Sequence, residues 1–360
     1  MKLLLVIPSL GSGGAERQLV NLAILFKQKG IDVEFVVYHE IFFYKYLLDE
    51  KLIVVNTITS SNFLERVLRV RSFIRKSKSD VVISFLETAD FLNCLSVIGS
   101  KQWKVITTEL SSKESTFNSF RGKVFCWFRR YSDFIVCNSY NAMSLWREFN
   151  PHYSSKLTVI YNPVILPRIT TDYILKKDGR LNLVIAASYQ YLKNPLGLIK
   201  ALALMDIKTR DRIRINWYGR IEITEGDTAA FDESMKLIIK NNLESIIFLN
   251  ESIKDIANKM NEADIVALFS ELEGLPNAIC EAMMIGKPII MTRVSDYRNL
   301  VDETNGFLCD ANSPESIKYA LEQAINLSEK SLLKLGLSSK AKAERLFSPN
   351  AIVDQWIKLT

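Results

Sequence analysis

The stretch Glu273-Gly-Leu-Pro-Asn-Ala-Ile-Cys-Glu281, continuing through Ala282-Met-Met-Ile-Gly-Lys-Pro288, decides how this chain is read. Apolar runs flank it, Ile265-Val-Ala-Leu-Phe269 before and Pro288-Ile-Ile-Met291 after, both short enough for buried strands. Gly274 and Pro276 supply a tight turn and a helix start, with Pro close to the first helical position, where its missing N–H does no harm. Ala278 to Ile285 then reads as a short helix that ends at Gly286 and is stopped by Pro288. The unit is a strand, a loop with a carboxylate, a helix with a second carboxylate, and a strand. Backbone N–H groups at such a helix start face the crevice at the strand ends, where a phosphate or sugar hydroxyl is held.

The same rhythm extends in both directions. Strands are expected at 3–9, 33–39, 53–59, 81–85, 104–110, 133–139 and 157–164, with helices near 14–29, 42–50, 62–78, 88–100, 117–131 and 140–149. A second series places strands near 182–188, 212–218, 245–249, 264–269, 287–292 and 306–309. Its helices fall near 195–205, 230–241, 253–262, 277–285 and 314–328. Helical pattern continues over 331–346, breaks at Ser348-Pro349 and resumes from Asn350 to Leu359. Alternation of this kind means βαβ units and parallel sheets covered on both faces. A chain of 360 residues is too long for one ordinary core. The expected architecture is therefore α/β, with two Rossmann-like doubly wound domains facing across a cleft. The first is 1–165, the linker 166–180, the second 181–348, and a helix at 349–360 crosses back to the first domain.

Composition narrows the function classes. A hydrophobic content of 48% and a charged content of 24% are those of a soluble globular protein. Residues 1–170 carry 22 Lys and Arg against 14 Asp and Glu, so the basic surplus lies in the first half, which suggests an anionic partner there. The five cysteines, Cys94, Cys126, Cys137, Cys280 and Cys309, sit in apolar contexts with no paired spacing, and read as reduced core residues of a cytosolic protein. With only His39 and His152, a His-based metal site is not expected. Met1-Lys2 followed by Leu3-Leu-Leu-Val-Ile7 imitates a signal peptide, but Pro8 interrupts the run and a first strand fits better.

Three local features carry chemistry. Gly11-Ser-Gly-Gly-Ala-Glu16 follows the first strand and opens the first helix, bringing backbone close to a ligand; a tight turn without a ligand is the plainer reading. A dinucleotide fingerprint would want a small residue where Glu16 stands, which weakens a nicotinamide cofactor. Lys193, just beyond the first strand of the second domain, is a cation for a diphosphate or an ordinary surface group. Glu281 stands among Ala278, Ile279, Cys280, Ala282 and Met283, where a charge needs a partner if buried, and the vicinal hydroxyls of a ribose would provide one. Residues 62–78 and 120–131 are basic and rich in aromatics. They suit an anionic membrane interface, or are two sheet-packing helices with charged outer faces. Nucleic acid fits less well, since no binding module accompanies them.

Together these features resemble the family 4 retaining glycosyltransferases, built on the two-domain GT-B fold. The matching motifs are Gly11-Ser-Gly-Gly-Ala-Glu-Arg17, Asn138-Ser139, Tyr161-Asn-Pro163 and Lys193-Asn194. To these are added Ser270-Glu-Leu-Glu-Gly-Leu-Pro-Asn277 with Glu281-Ala-Met283, Gly286-Lys-Pro288 and Asn305-Gly-Phe307. The resemblance implies that Glu273 contacts hydroxyls of the donor sugar, Glu281 binds the ribose and Lys193 the diphosphate. Gly13 and Gly14 would lie over the diphosphate, and Gly274, Leu275, Pro276 and Asn277 would cradle sugar and phosphate through their backbone. Where the family usually carries an Arg paired with this Lys, the chain has Ser188, and Arg17 and Arg220 are candidates for the missing charge. Where it often carries a His near the donor sugar, the chain has Glu109.

The resemblance further implies a cytoplasmic enzyme that moves a hexose or N-acetylhexosamine with retention from a nucleotide-diphosphate sugar, UDP- before GDP-linked. The acceptor would be a lipid-linked saccharide of surface polysaccharide or O-antigen (lipopolysaccharide) assembly. No cofactor or metal is expected. A sugar-nucleotide epimerase of GT-B-like fold and a non-catalytic sugar-nucleotide-binding partner remain the alternatives.

Overall fold

A computed structural model describes residues 1–110, 114–170, 179–224 and 226–360. Most of the expected linker 166–180 therefore lies outside the described residues. The chain divides into two compact units, Met1–Pro163 with Phe347–Thr360, and Val164–Leu346.

The first unit holds seven strands: β1 (Lys2–Val6), β2 (Asp32–Val37), β3 (Val54–Thr57), β4 (Val81–Ser84), β5 (Lys104–Glu109), β6 (Phe134–Cys137) and β7 (Leu157–Val159). All pair in parallel in the order β3-β2-β1-β4-β5-β6-β7. Strand β1 is shorter than the expected 3–9, because Pro8 has no N–H to continue a ladder. Leu4, Val6, Val36, Val82 and Val105 form the core under one layer of helices. In that layer Glu87–Ser96 touches both Phe63–Lys76 and Phe120–Phe128. The last helix, Pro349–Leu359, packs on Gly14–Gln28. Lys29 pairs with Asp354 at 2.8 Å, and Lys104 Nζ donates to the Thr360 carbonyl at 2.7 Å.

The second unit holds six strands: β8 (Leu181–Ala186), β9 (Ile213–Gly219), β10 (Ile247–Glu251), β11 (Ile265–Leu268), β12 (Ile289–Thr292) and β13 (Gly306–Cys309). They too are all parallel, in the order β10-β9-β8-β11-β12-β13. This is the doubly wound order, and its direction reverses between β8 and β11, where such sheets open a crevice at their carboxyl ends. Leu183, Ile185, Ile213, Ile215 and Trp217 on the strands pack with Leu198, Leu202, Ile317 and Leu321 on the helices. All five cysteines are buried and free, and burial pushes their thiols up, that of Cys94 to about 12.

Candidate functional site

The loop after β8 is pinned before it reaches Lys193. Tyr189 is buried, its hydroxyl donating to the carbonyls of Trp217 and Asn250 at 2.9 Å each, and its amide donating to Arg220 O at 3.0 Å. Burial pushes its phenol well above the usual range, so it remains a neutral anchor. Residues Tyr191–Lys193 make one 3-10 turn, and Asn194 then takes a left-handed conformation with φ 60°. Its Oδ1 accepts from Gly197 N at 3.0 Å and its Nδ2 donates to Ala311 O at 2.8 Å. Asn194 thereby caps helix Pro195–Ala203, with Pro195 at its first position. Neither the left-handed turn nor the second bond is visible in the sequence, although the Asn-Pro pair is its signal.

The loop after β11 meets the first one. Glu271 N donates to Leu192 O at 2.8 Å, and Lys193 Nζ lies 2.6 Å from Glu273 Oε1. Ser270 Oγ donates to the same carboxylate oxygen at 2.7 Å, while Ser270 O accepts from Thr292 Oγ1 at 2.6 Å. Ser295 Oγ donates to Gly274 O. Leu275 and Pro276 are buried under the turn. Helix Asn277–Ile285 takes the bounds expected for it in the second series, with Pro276 as its N-cap. Pro276 makes no side-chain cap bond, and its carbonyl accepts from Ile279 N and Cys280 N at 3.0 and 3.1 Å. Glu281 is half-buried on the same helix, beside the fully buried Cys280. Gly286, at φ 96°, ends the helix as expected from its sequence.

The structure thus brings Lys193, Glu273 and Ser270 together at the reversal point of the second sheet, with Gly274–Asn277 leading into the helix start. Ser188 sits on the same loop, half-buried, its Oγ accepting from Gln190 Nε2 at 2.9 Å. Arg220 is exposed and joined to that loop through its carbonyl.

In the first unit, Gly13 is the N-cap of helix Gly14–Gln28, and both glycines are exposed. Glu109 is buried at the end of β5. Its Oε2 accepts from Trp146 Nε1 at 2.9 Å and lies 3.9 Å from Arg129. Arg129 pairs with Asp90 at 2.9 Å and donates to Thr108 O at 2.9 Å. Burial pushes the Asp90 carboxyl up to about 7, against the pull of Arg129. Arg129 belongs to the core, and the basic surface expected over 120–131 is corrected accordingly. Its exposed members are Phe120, Arg121, Lys123, Trp127 and Arg130.

Residues 12–168 match the family described as Glycosyltransferase Family 4, and residues 171–338 match Glycosyl transferases group 1. The chain is a family 4 glycosyltransferase by descent. This glycosyltransferase is 23% identical to a protein of Campylobacter jejuni, over 100% of its own length and 98% of the relative's. That relative is named GalNAc-alpha-(1->4)-GalNAc-alpha-(1->3)-diNAcBac-PP-undecaprenol alpha-1,4-N-acetyl-D-galactosaminyltransferase. An uncharacterized glycosyltransferase of Haemophilus influenzae is 23% identical, with 97% of each chain covered. Among solved structures, HepE of Anabaena in complex with UDP superposes with a TM-score of 0.85 at 19% identity, covering 99% of each chain. The lipopolysaccharide outer core galactosyltransferase WaaB superposes at 0.79 with 17% identity, covering 100% of this chain and 98% of that one. The fold of the glycosyltransferase is therefore GT-B.

Proposed function

We propose that the protein transfers a hexose or N-acetylhexosamine, with retention at the anomeric carbon, from a UDP-linked sugar to a lipid-linked saccharide of surface polysaccharide assembly. The observation that carries this reading is the cluster of Lys193, Glu273 and Ser270 beside the start of helix Asn277–Ile285. A cation and helix-start amides suit a diphosphate, and a fixed carboxylate suits sugar hydroxyls. The UDP-bound HepE structure supports the nucleotide class, and the undecaprenol-linked substrate in the Campylobacter relative's name supports the acceptor class.

In this reading Glu281 accepts from the ribose hydroxyls, Gly13 and Gly14 approach the diphosphate through their backbone, and Arg220 supplies the charge that Ser188 lacks. As the bond from the anomeric carbon to the phosphate oxygen breaks, negative charge grows on the diphosphate, and Lys193 and the helix start stabilise it. The acceptor oxygen bonds to the same face of that carbon and its proton passes to the departing phosphate oxygen. Lys193 fills the place a metal would otherwise take, so transfer should survive chelation. Glu109, held by Trp146 and Arg129, serves as a positioning residue at the end of β5.

No helix among the described residues is long and apolar enough to cross a membrane. Contact with a lipid-linked acceptor at a cytoplasmic membrane face would use exposed Phe63, Leu64 and Leu68 together with Phe120, Trp127 and Arg130. The test of the reading is a thermal-shift screen of UDP- and GDP-sugars with wild type and Glu281→Ala. A UDP-sugar should raise the melting temperature of the wild type and not of the variant. Equal shifts in both would remove Glu281 from the ribose.

A further inference from the structure

The donor-site reading gives Lys193 and Glu273 separate ligands, yet the structure pairs them with each other. Lys193 Nζ lies 2.6 Å from Glu273 Oε1, and their side chains are only 18% and 11% exposed, so solvent screens the pair weakly. Ser270 Oγ, donating to that same oxygen at 2.7 Å, holds the carboxylate where the lysine finds it. We infer that Glu273 is a built-in competitor of the diphosphate for Lys193, and so makes the site discriminate the intact sugar nucleotide from the bare nucleoside diphosphate. This rests on the donor-site reading and adds a second role for Glu273.

Charge sets the competition. A diphosphate that engages Lys193 must draw it from a carboxylate already in place, and then stands near that carboxylate's negative charge. An intact donor offsets this, because its sugar hydroxyls donate to Glu273 once Lys193 has turned away. A bare nucleoside diphosphate offers Glu273 no donor, so taking Lys193 leaves the carboxylate with Ser270 alone. The same site that accepts the donor therefore disfavours the leaving product. With Ser188 contributing no charge on this loop, Lys193 is the cation that pairs with Glu273, and the competition falls on it.

Calorimetric titration of the full-length protein with UDP tests this on wild type, Glu273→Gln, Lys193→Ala and the double variant. Gln keeps the shape and the bond from Ser270 but removes the charge, so Glu273→Gln should bind UDP roughly ten-fold more tightly than wild type, the worth of one modest charge-assisted interaction. Lys193→Ala should weaken UDP binding, and adding Glu273→Gln to it should restore little. If Glu273→Gln binds UDP no better than wild type while Lys193→Ala binds it worse, the competition is overturned and the donor site stands. If the Gln gain persists in full without Lys193, the carboxylate acts by general repulsion and the inference is overturned as stated. If Lys193→Ala binds UDP like wild type, both the inference and the assignment of Lys193 to the diphosphate fail. Melting curves of each variant separate these outcomes from loss of fold.

Discussion

Glu271 N donates to Leu192 O at 2.8 Å, and this bond sets the loop after β11 against the loop after β8, so that Lys193 comes within 2.6 Å of Glu273. Two loops from neighbouring strands share one backbone bond, and their charged side chains meet just beyond it. Ser270 fixes the carboxylate from beneath. Its hydroxyl is the only part of this arrangement that a conservative substitution can delete without touching a charge. Ser270→Ala should lower kcat/KM for transfer by roughly ten-fold, the order expected of one hydrogen bond to a charged group. Steady-state kinetics checks this, and a melting temperature close to wild type is expected alongside.

Gly219 ends β9 against the loop that carries Lys193. A Cβ built there would lie 1.9 Å from Ala187 O, a backbone atom that cannot step aside alone. Gly219→Ala should cost about 1–3 kcal/mol of stability or more, in the range of overpacked sites, and should weaken UDP binding because the loop moves with Ala187. Denaturant unfolding and calorimetry would measure the two effects. A variant as stable as wild type would show that the close approach is not maintained.

Arg129 and Arg130 are neighbours with opposite fates. Arg129 is 4% exposed and pairs with Asp90, whereas Arg130 is exposed and lies over the Trp127 ring at 4.4 Å. Arg129→Ala would leave Asp90 and Glu109 buried without their cation and should cost about 3–5 kcal/mol. Arg130→Ala should change stability by less than about 1 kcal/mol. Chemical denaturation of both variants gives the comparison.

Lys287 carries a signature in alkaline solution. Burial pushes its amine down to about 8, Asp264 opposing, and its Nζ donates to Asn261 O at 2.6 Å. An unfolded chain binds this proton up to a higher pH than the folded one, so folding gains stability as pH rises from about 8 toward the ordinary lysine value. Wild type should therefore become more stable relative to Lys287→Met between these limits, and the difference should be flat below them. Urea unfolding across that range reads it.

The fold was legible because its signals are local. Short apolar runs, Gly286 with Pro288, and Asn194 with Pro195 each mark an element boundary within a few residues, and the thirteen strands among the described residues lie where such runs predict them. The pairing of Lys193 with Glu273 was not legible, since 80 positions separate them and only strand order brings them together. Arg129 misled for a related reason. Arg129 follows the buried Gly122 and Cys126 at helical spacing, on the face turned to the core, and only its charge reads as solvent-exposed. Asp90, its partner, stands among apolar residues 39 positions earlier, in helix Glu87–Ser96.

The most direct measurement is transfer itself. Wild type and Glu273→Ala would be incubated with UDP-sugars and a polyprenyl-diphosphate-linked saccharide, and the products read by mass and by anomeric configuration. The account predicts that wild type adds one hexose or N-acetylhexosamine with the donor's configuration kept, and that Glu273→Ala, folded, adds none. Equal transfer by the two proteins, or an inverted linkage from wild type, would contradict it.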